Sequence, residues 1–97
     1  MARHRRAKGQ AAAVALALAD CPRVVLPVRV ALVRVGGKRL DPDNLAGSFK
    51  AVQDEVARFL SVDDGDRRRV RWCYRQRPAR DGEVRGVEVR FRPGREP

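Results

Sequence analysis

One stripe of apolar side chains between residues 45 and 60 constrains the fold of this chain more than any other feature. Its members recur at intervals of three and four residues: Leu45, Phe49, Val52, Val56, Phe59 and Leu60. This spacing places them along one face of an α-helix, and such a face must pack against other apolar side chains. Gly47 and Ser48 weaken the first turn, so we expect regular helix to begin later than the stripe implies.

Three other segments have the character of β-strands. Residues 24–35 are rich in β-branched side chains, and Pro27 favours an edge strand or a bulge. Residues 67–76 and residues 84–92 each alternate between two kinds of side chain, as strands with two different faces do. Asp81-Gly82, between these two segments, marks a loop or a hairpin turn.

The order of these elements predicts the fold class. An Ala-rich helix is expected over residues 6–19, preceded by a basic N-terminal arm at residues 1–8. Residues 93–97 are expected to form a flexible tail, and no internal boundary divides residues 1–97. We therefore expect one α/β (α+β) domain in the order helix, strand, helix, strand, strand, with a mixed sheet packed on helices. A chain of this length buries a thin core, so a partner subunit would help its stability.

Positive charge dominates the composition. The chain has 22 Lys and Arg residues against 12 Asp and Glu residues, for a net charge of +10. Such a surface attracts the phosphates of nucleic acids, and Arg suits bidentate phosphate contacts, although GC-rich coding also enriches Arg. The residues expected to contact nucleic acid are Lys38, Arg39, Arg67, Arg68, Arg69 and Arg71. For the arginines from Arg67 onward, the alternative is a solvated strand face.

Five acidic residues form two clusters against this basic background: Asp41 and Asp43, then Asp63, Asp64 and Asp66. Carboxylates repel phosphates, and a divalent cation resolves the conflict because Mg²⁺ binds a few carboxylate oxygens together with a substrate phosphate. The pattern therefore predicts a metal-dependent nuclease. Local roles are the alternative, since Asp41 or Asp43 can cap the helix, with Pro42 in its first turn, and residues 63–66 can form a solvated turn.

The clusters and the helix between them resemble the signature of the RusA family of Holliday-junction resolvases. The family pattern is Asp-x-Asp-Asn-Leu, a helical Lys, a later Asp on the same helix, and an Asp-Asp pair before a strand. The matching segments are Asp41-Pro42-Asp43-Asn44-Leu45, Phe49-Lys50-Ala51-Val52-Gln53-Asp54 and Val62-Asp63-Asp64. The resemblance covers about residues 25–92 and is sharpest over residues 40–66.

The resemblance implies a homodimeric, Mg²⁺-dependent endonuclease that cuts four-way DNA junctions symmetrically, an activity that often accompanies phage recombination genes. By motif position, the catalytic metal ligands would be Asp41, Asp43 and Asp64, and Lys50 would be the essential lysine. Mn²⁺ also suits such oxygen ligands. Lys50 could neutralise the scissile phosphate, and Asp54 is spaced to orient it; otherwise the two form an ordinary surface pair.

Two features depart from the family pattern. Three additional residues separate Asn44 from Lys50. The family's N-terminal strand has no counterpart before the first predicted helix, so we expect either a start upstream of Met1 or a sheet with one strand fewer.

The predicted central helix also separates the motif residues. If residues 44–60 form one helix, its ends lie about 25 Å apart at 1.5 Å per residue. Asp41 and Asp43 would then be far from Asp64 in the same subunit. Either the chain doubles back near Gly47 and at the helix end, or each site combines Asp41 and Asp43 of one subunit with Asp64 of the other. We favour the second arrangement.

The sequence gives little indication of a zinc site, a base-stacking surface or a membrane segment. Two cysteines and one histidine are too few for a structural zinc site, and Cys73 is predicted to be a buried free thiol. Trp72 and Tyr74 are predicted to be core residues, with base stacking as the alternative. The Ala-rich start imitates a signal peptide but is weakly hydrophobic and too short to span a membrane, so we expect a cytoplasmic protein with no membrane partner.

Two other classes of protein are also compatible with the sequence. One is a non-catalytic basic DNA-binding protein, whose affinity would fall steeply with salt and would not require Mg²⁺. The other is an accessory domain whose aspartates serve only as caps and turns.

Overall fold

The computed structural model describes the backbone of residues 2–94 and the side chains of residues 10–94. The elements are α1 (Ala2–Ala19), β1 (Val28–Val35), α2 (Pro42–Ser48), α3 (Lys50–Leu60), β2 (Val70–Arg77) and β3 (Gly86–Pro93). The strands form one sheet in the order β2-β1-β3, with β1 parallel to β2 and antiparallel to β3. The predicted α+β class and mixed sheet are confirmed.

The central strand β1 supplies the middle of the core. Val28, Val30 and Leu32 alternate along it and are at most 2% exposed. Pro27 lies immediately before the strand, after a cis Leu26–Pro27 peptide bond. The prediction that Pro27 marks an edge strand or a bulge is therefore wrong. Because it lies outside β1, its missing N–H leaves the pairing of this central strand intact.

The apolar stripe packs against this face of the sheet, as predicted. Leu45, Phe49, Val52 and Val56 are all at most 6% exposed. Trp72 and Tyr74 of β2 are partly buried against the same core, which confirms their predicted core position. Val14 and Leu18 of α1 belong to the same core cluster.

The stripe belongs to two helices, so the expected single helix over residues 44–60 is wrong. Helix α2 ends at Ser48, and α3 begins at Lys50 after Phe49. The Ser48 hydroxyl donates to the Leu45 carbonyl at 2.7 Å, and the Phe49 N–H donates to Ala46, one residue short of the α-helical partner. A side chain that competes for a helical carbonyl in this way disturbs the helix. Here the disturbance occurs next to Gly47, in the last turn of α2.

The segments at the two ends of the chain differ from their predicted boundaries. Helix α1 begins at Ala2, so the backbone of the predicted basic arm is helical from Ala2 to Lys8. Pro93 is the last residue of β3. Residues 95–97 of the predicted tail lie outside the described residues. No helix within residues 2–94 has both the length and the apolar character needed to cross a membrane.

The connection between β2 and β3 contains the predicted turn at Asp81-Gly82, where Gly82 has φ +79°. The turn does not close a hairpin, because β1 lies between the two strands that it connects. A positive φ of this size is readily adopted by glycine. The sequence left open a loop or a hairpin turn at Asp81-Gly82, and the structure has a loop.

The sheet has a second face, which we call the open face. Its residues follow from the strand registers: Arg29, Ala31, Val33 and Val35 of β1; Arg71, Cys73, Arg75 and Arg77 of β2; Gly86, Glu88, Arg90 and Arg92 of β3. The described core cluster that includes the helices contains none of these residues. Cys73 is a free thiol but only half-buried. The prediction that it is buried is wrong because it lies on this face.

Candidate active site

Asp41 and Asp43 lie at the start of α2. Asp41 is the N-cap residue, and its two carboxylate oxygens accept hydrogen bonds from the backbone N–H and the side-chain amide of Asn44, both at 2.8 Å. Pro42 is the first helical residue, and Asp43 lies in the first turn. The predicted capping role of Asp41 is confirmed, and both carboxylates are exposed to solvent.

Lys50, the first residue of α3, contacts two carboxylates. Its Nζ donates to Asp54 Oδ1 at 3.0 Å and lies 3.6 Å from Asp64 Oδ2. The hydrogen bond from Lys50 to Asp54, and then the negative charges of Asp54 and Asp64, raise the pKa of Lys50 above its ordinary value. The lysine side chain is 72% exposed, so its ammonium group is accessible to a substrate.

The chain reaches Lys50 again by reversing after α3. Ser61 ends the helix in the left-handed conformation at φ 56°, with its N–H bonded to the Arg58 carbonyl. The Val62 N–H bonds to Ala57, and this pair of bonds is typical of a helix C-terminus where the chain turns. The chain therefore doubles back at the helix end, which is one part of the first arrangement that the sequence left open. This reversal brings Asp64 to Lys50 but does not gather Asp41, Asp43 and Asp64 within one subunit.

The three aspartates of the second cluster have different roles. Asp63 accepts from the Gly65 N–H at 3.1 Å, and Asp66 accepts from the N–H groups of Arg68 and Arg69. Both therefore stabilise their own turn, as the local alternative predicted. Asp64 instead directs its carboxylate toward Lys50.

Strand β2 holds both acidic segments. The Trp72 indole N–H donates to the Asp64 carbonyl at 2.9 Å. Gln76 accepts from the Leu40 N–H at 2.9 Å and donates to the Leu40 carbonyl at 2.6 Å, which fixes the residue before Asp41. Trp72 and Gln76 are four residues apart, or about 13 Å along a strand. One strand thus anchors both clusters to a common frame.

Tyr74 lies between these two anchors and holds the helices. Its hydroxyl donates to Gln53 Oε1 of α3. Its ring stacks on Phe49, with centroids 5.8 Å apart. Consecutive core-facing side chains of β2 therefore position the Asp64 turn, the α2–α3 junction and the Asp41 segment.

Of the predicted site residues, the structure brings together Lys50 and Asp64, with Asp54 beside them. Asp41 and Asp43 are not gathered with Asp64: within the described chain, no group of three or more His, Cys, Asp or Glu side chains is placed to hold a metal ion. The donors are nonetheless all carboxylate oxygens, and Mg²⁺ commonly binds only one or two protein carboxylates along with water and substrate phosphates. The residue chemistry therefore fits Mg²⁺.

Two polar residues that sequence reasoning did not single out also belong to this region. Gln76 holds Leu40, and Arg34 lines a groove of about 1360 Å³ that also contains Asp43 and Asn44. The Arg34 Nε is buried and has no hydrogen-bond partner among the described residues. The signal was available: each polar residue lies two positions after a core residue of the same strand, Leu32 before Arg34 and Tyr74 before Gln76.

The predicted nucleic-acid contacts lie next to the two acidic clusters. Lys38 and Arg39 are exposed just before Asp41, whereas Arg67, Arg68 and Arg69 are exposed just after Asp66. Arg69 forms an ion pair with Asp66 at 2.9 Å. Arg71 lies on the open face. Positive side chains therefore adjoin each acidic segment.

No protein-family model, curated protein or solved structure matches this chain. The resemblance to the RusA family therefore stays a prediction that depends on the motif residues.

Proposed function

We propose that this protein is a Mg²⁺-dependent endonuclease that cleaves branched DNA, with the four-way Holliday junction as its substrate. The observation that carries the proposal is the contact between Lys50 and Asp64. Caps and turns account for Asp41, Asp63 and Asp66, but a turn role does not explain why the Asp64 carboxylate lies 3.6 Å from the Lys50 ammonium group. A cytoplasmic location is in keeping with a DNA substrate.

Lys50 supplies positive charge to the scissile phosphate. Its ammonium group is protonated at neutral pH, and Asp54 and Asp64 hold it in place and raise its pKa further. Fixed charges aimed at a reacting phosphate stabilise the transition state without the cost of reorganising solvent. Asp64 therefore both orients Lys50 and offers an oxygen ligand.

Asp41, Asp43 and Asp64 are the residues that would hold Mg²⁺ or Mn²⁺. Bound at such a site, the ion supplies activation of a water molecule and neutralisation of charge at the phosphate. Asn44 contributes by fixing the orientation of Asp41 through both carboxylate oxygens. Arg34, in the same groove as Asp43, offers a guanidinium donor to a phosphate oxygen.

The proposed active form is a homodimer. A four-way junction offers two symmetric strands for cleavage, and a two-fold dimer presents two equivalent sites. A dimer also allows Asp41 and Asp43 of one subunit to approach Asp64 of the other. This arrangement is favoured because the three aspartates are separated within one chain. We propose this composite arrangement for each site.

Cleavage of a labelled four-way junction tests the proposal. Wild-type protein in Mg²⁺ should cut the junction, and both EDTA and the Asp43→Asn substitution should abolish cutting. Cleavage that persists in EDTA would contradict metal dependence. Cleavage by the Asp43→Asn variant at the wild-type rate would show that Asp43 is not part of the active site.

A non-catalytic DNA-binding protein is the second candidate. The net charge of +10 and the exposed arginines beside each acidic segment favour it independently of any catalytic geometry. The same assay separates the two candidates: salt-sensitive binding of the junction without cleavage in either Mg²⁺ or Mn²⁺ would favour this one.

A further inference from the structure

Strand β2 forms one free edge of the sheet. The order β2-β1-β3 leaves β2 with one neighbouring strand within the described chain. The carbonyls of Arg69 and Arg77 accept hydrogen bonds from the first residue of β1 and from the residue after it. In a parallel pair, residues that bond to the neighbouring strand alternate with residues that point away from it. The odd-numbered residues of β2 therefore bond to β1, and the even-numbered residues face the free edge.

Three alternate residues of this edge have backbone groups without a partner. Trp72, Tyr74 and Gln76 direct both N–H and C=O away from β1, and none of these backbone groups bonds to another described residue. Their side chains point to the helices, where they hold the Asp64 turn, α3 and Leu40. An edge of this kind is a template for pairing with a strand of another chain.

Two copies of this edge complement each other. In an antiparallel pair, facing residues exchange both of their backbone hydrogen bonds at every second position. If two β2 strands pair about a two-fold axis at Tyr74, Tyr74 faces the partner's Tyr74 and Trp72 faces the partner's Gln76. Every outward-facing backbone group of the edge then has a partner. Such a self-complementary contact closes as a dimer, since both copies use the same surface.

The charges of the open face are compatible with this register. With the axis at Tyr74, Cys73 faces the partner's Arg75, so that pair brings no like charges together. Arg71 faces the partner's Arg77. Arg77 already forms ion pairs with two glutamates, at 2.7 Å and 3.0 Å, which offset its charge.

The two neighbouring registers that also match outward-facing groups are less favourable. An axis at Cys73 would place Arg71 opposite the partner's Arg75 on both sides of the axis. An axis at Arg75 would place Arg75 opposite the partner's Arg75. Like charges at facing positions destabilise a sheet, and neither arginine has a carboxylate partner among the described residues. The charge pattern therefore selects the register at Tyr74.

The same register brings the two acidic segments together across the interface. Trp72 binds the Asp64 carbonyl, and Gln76 binds Leu40, the residue before Asp41. Trp72 and Gln76 of one chain are about 13 Å apart, whereas facing residues of an antiparallel pair are about 5.5 Å apart. The Asp64 turn of one subunit therefore lies beside the partner's Asp41.

A cleft of about 340 Å³ opens between β2 and the Asp41 segment. Tyr74 and Gln76 of β2 line it together with Leu40, Asp41 and Pro42. A partner strand at the free edge of β2 would border this cleft. The interface is thus continuous with a space that contains one of the predicted metal ligands.

The other edge of the sheet, at β3, does not build such a site. Pairing through β3 would put the two β2 strands at the outside of six strands, about 24 Å apart at about 4.8 Å per spacing. Asp64 of one subunit and Asp41 of the partner subunit would then lie at opposite edges. The composite site requires the β2 edge.

We propose that two copies of this protein pair through β2, antiparallel and centred on Tyr74, in one continuous six-stranded sheet. The inference rests on the proposed function in taking Asp41, Asp43 and Asp64 as one composite site. Each site combines Lys50 and Asp64 of one subunit with the first acidic cluster of the other. Formation of the dimer requires neither DNA nor a metal ion.

Disulfide formation with the native Cys73 tests the register. Because Cys73 would face the partner's Arg75, an Arg75→Cys chain should become mostly covalent dimer under mild oxidation, as seen on a non-reducing gel. Facing Cα atoms at this non-hydrogen-bonded position are about 4.5 Å apart, within the range of a disulfide. Every chain in the experiment also carries Cys21→Ser, which removes the second native thiol. Failure of the Arg75→Cys chain to cross-link would overturn the register.

Arg71→Cys is the matched control, since it replaces another exposed arginine of the same strand and face. Its thiol would lie about 13 Å along the strand from the partner's Cys73, so it should form no more covalent dimer than Cys21→Ser alone. Covalent dimers of the Cys21→Ser chain would place Cys73 opposite the partner's Cys73 and overturn the register. Equal cross-linking of the Arg71→Cys and Arg75→Cys chains would overturn the pairing.

Hydrogen exchange of the wild-type protein tests the edge without any substitution. The three outward-facing amides of β2 should exchange at least about tenfold faster after dilution from dimer to monomer, both verified by sedimentation. The Gly94 N–H donates to the Pro27 carbonyl, so the outward-facing amides of β3 are those of Val87, Val89 and Phe91. These should exchange alike at both concentrations. Protection gained at β3 and not at β2, or a protein that is always monomeric, would overturn the proposal.

The outcome is separable from that of the nuclease proposal. A dimer that is paired through β2 but does not cut the junction in Mg²⁺ supports the interface and sinks the nuclease. Junction cleavage by a protein that forms no cross-link, and whose β2 amides exchange alike at both concentrations, sinks only the interface.

Discussion

Lys50 lies on the surface of α3 between two carboxylates that come from different parts of the chain. Asp54 is one helical turn away, and Asp64 follows the helix by four residues. Exposed ion pairs of this kind contribute little to stability. Their effect is to orient the ammonium group and raise its pKa, which is useful at a site where a phosphate must be neutralised.

Substitution of Lys50 by Met should reduce the rate of junction cleavage by about 100-fold or more, because a fixed charge at the reacting phosphate is lost. The melting temperature should change little, since the side chain is 72% exposed. Because the pKa of Lys50 is raised above 10.5, its charge should not limit the rate between about pH 7 and pH 9. Single-turnover cleavage measures this, and a wild-type rate in Lys50→Met would exclude a catalytic role.

At the scale of elements, β2 is the frame of the candidate site. Its core-facing side chains bind the Asp64 turn through Trp72, the helices through Tyr74 and the segment before Asp41 through Gln76. Strand β2 is itself fixed by parallel pairing with the central strand. The positions of the two acidic clusters thus depend on one strand and not on the length of the helix between them.

Substitution of Gln76 by Ala should free the segment before Asp41. The Leu40 N–H loses its acceptor, so its amide should exchange with deuterium markedly faster. Loss of two hydrogen bonds of about 1 kcal/mol each should also lower the free energy of unfolding by about 1–3 kcal/mol. Exchange measured by NMR tests this. Gln53→Ala, which removes a different contact to β2, should leave Leu40 unchanged; equal acceleration in both variants would contradict a local clamp.

Much of the architecture could be predicted because each element has a local signal. The stripe from Leu45 to Leu60 and the alternation of the last two strands depend on short-range periodicity. The break at Phe49 could not be placed from periodicity, since the stripe continues across it. The central position of β1 depends on pairing between residues that are far apart in the sequence. Neither Pro27 nor the turn that connects β2 and β3 could therefore indicate that β1 lies between the other two strands.

For the candidate site, the motif residues could be identified but their contacts could not. Lys50 and Asp54 are four residues apart on a helix, so their pairing was predictable. The approach of Asp64 to Lys50 depends on the left-handed conformation of Ser61. A glycine at this position would have predicted that conformation, but a serine does not. The clamp from Gln76 to Leu40 joins residues 36 positions apart and has no local signal.

At the scale of the whole molecule, a network of ion pairs around Arg77 connects the sheet to the loop that follows β2. Arg77 is 21% exposed and binds Glu83 through two hydrogen bonds of 2.7 Å. The hydrogen bonds from the Arg77 side chain, followed by that from the Arg80 N–H, lower the pKa of Glu83 to about 2. This network ties the loop after β2 to the sheet.

The Glu83 network should make stability depend on pH at the acidic end. The pKa of Glu83 in the folded chain is below its ordinary value of 4.5, so its contribution is present above about pH 4.5 and is lost as the pH falls toward about 2. Glu83→Gln should therefore melt at a lower temperature than the wild type near neutral pH, and this gap should close across that window. A gap that stays constant down to about pH 2 would contradict the account.

Subunit mixing tests the composite site. Asp41→Asn and Asp64→Asn chains, each inactive alone, are unfolded together and refolded so that heterodimers form. A heterodimer should contain one intact site and nick one strand of the junction. No recovery, with heterodimers verified by a size tag on one chain, would mean that the three aspartates of each site come from the same subunit.

The most direct test of the central claim compares two neighbouring aspartates with the same charge and opposite roles. Asp63 accepts from its own turn, whereas Asp64 points to Lys50. With Mg²⁺ and a four-way junction, Asp64→Asn should lose about 100-fold or more in cleavage rate, and Asp63→Asn should stay within a few-fold of the wild type. Equal rates for the two variants, whether both fast or both slow, would contradict the assignment of Asp64 to an active site.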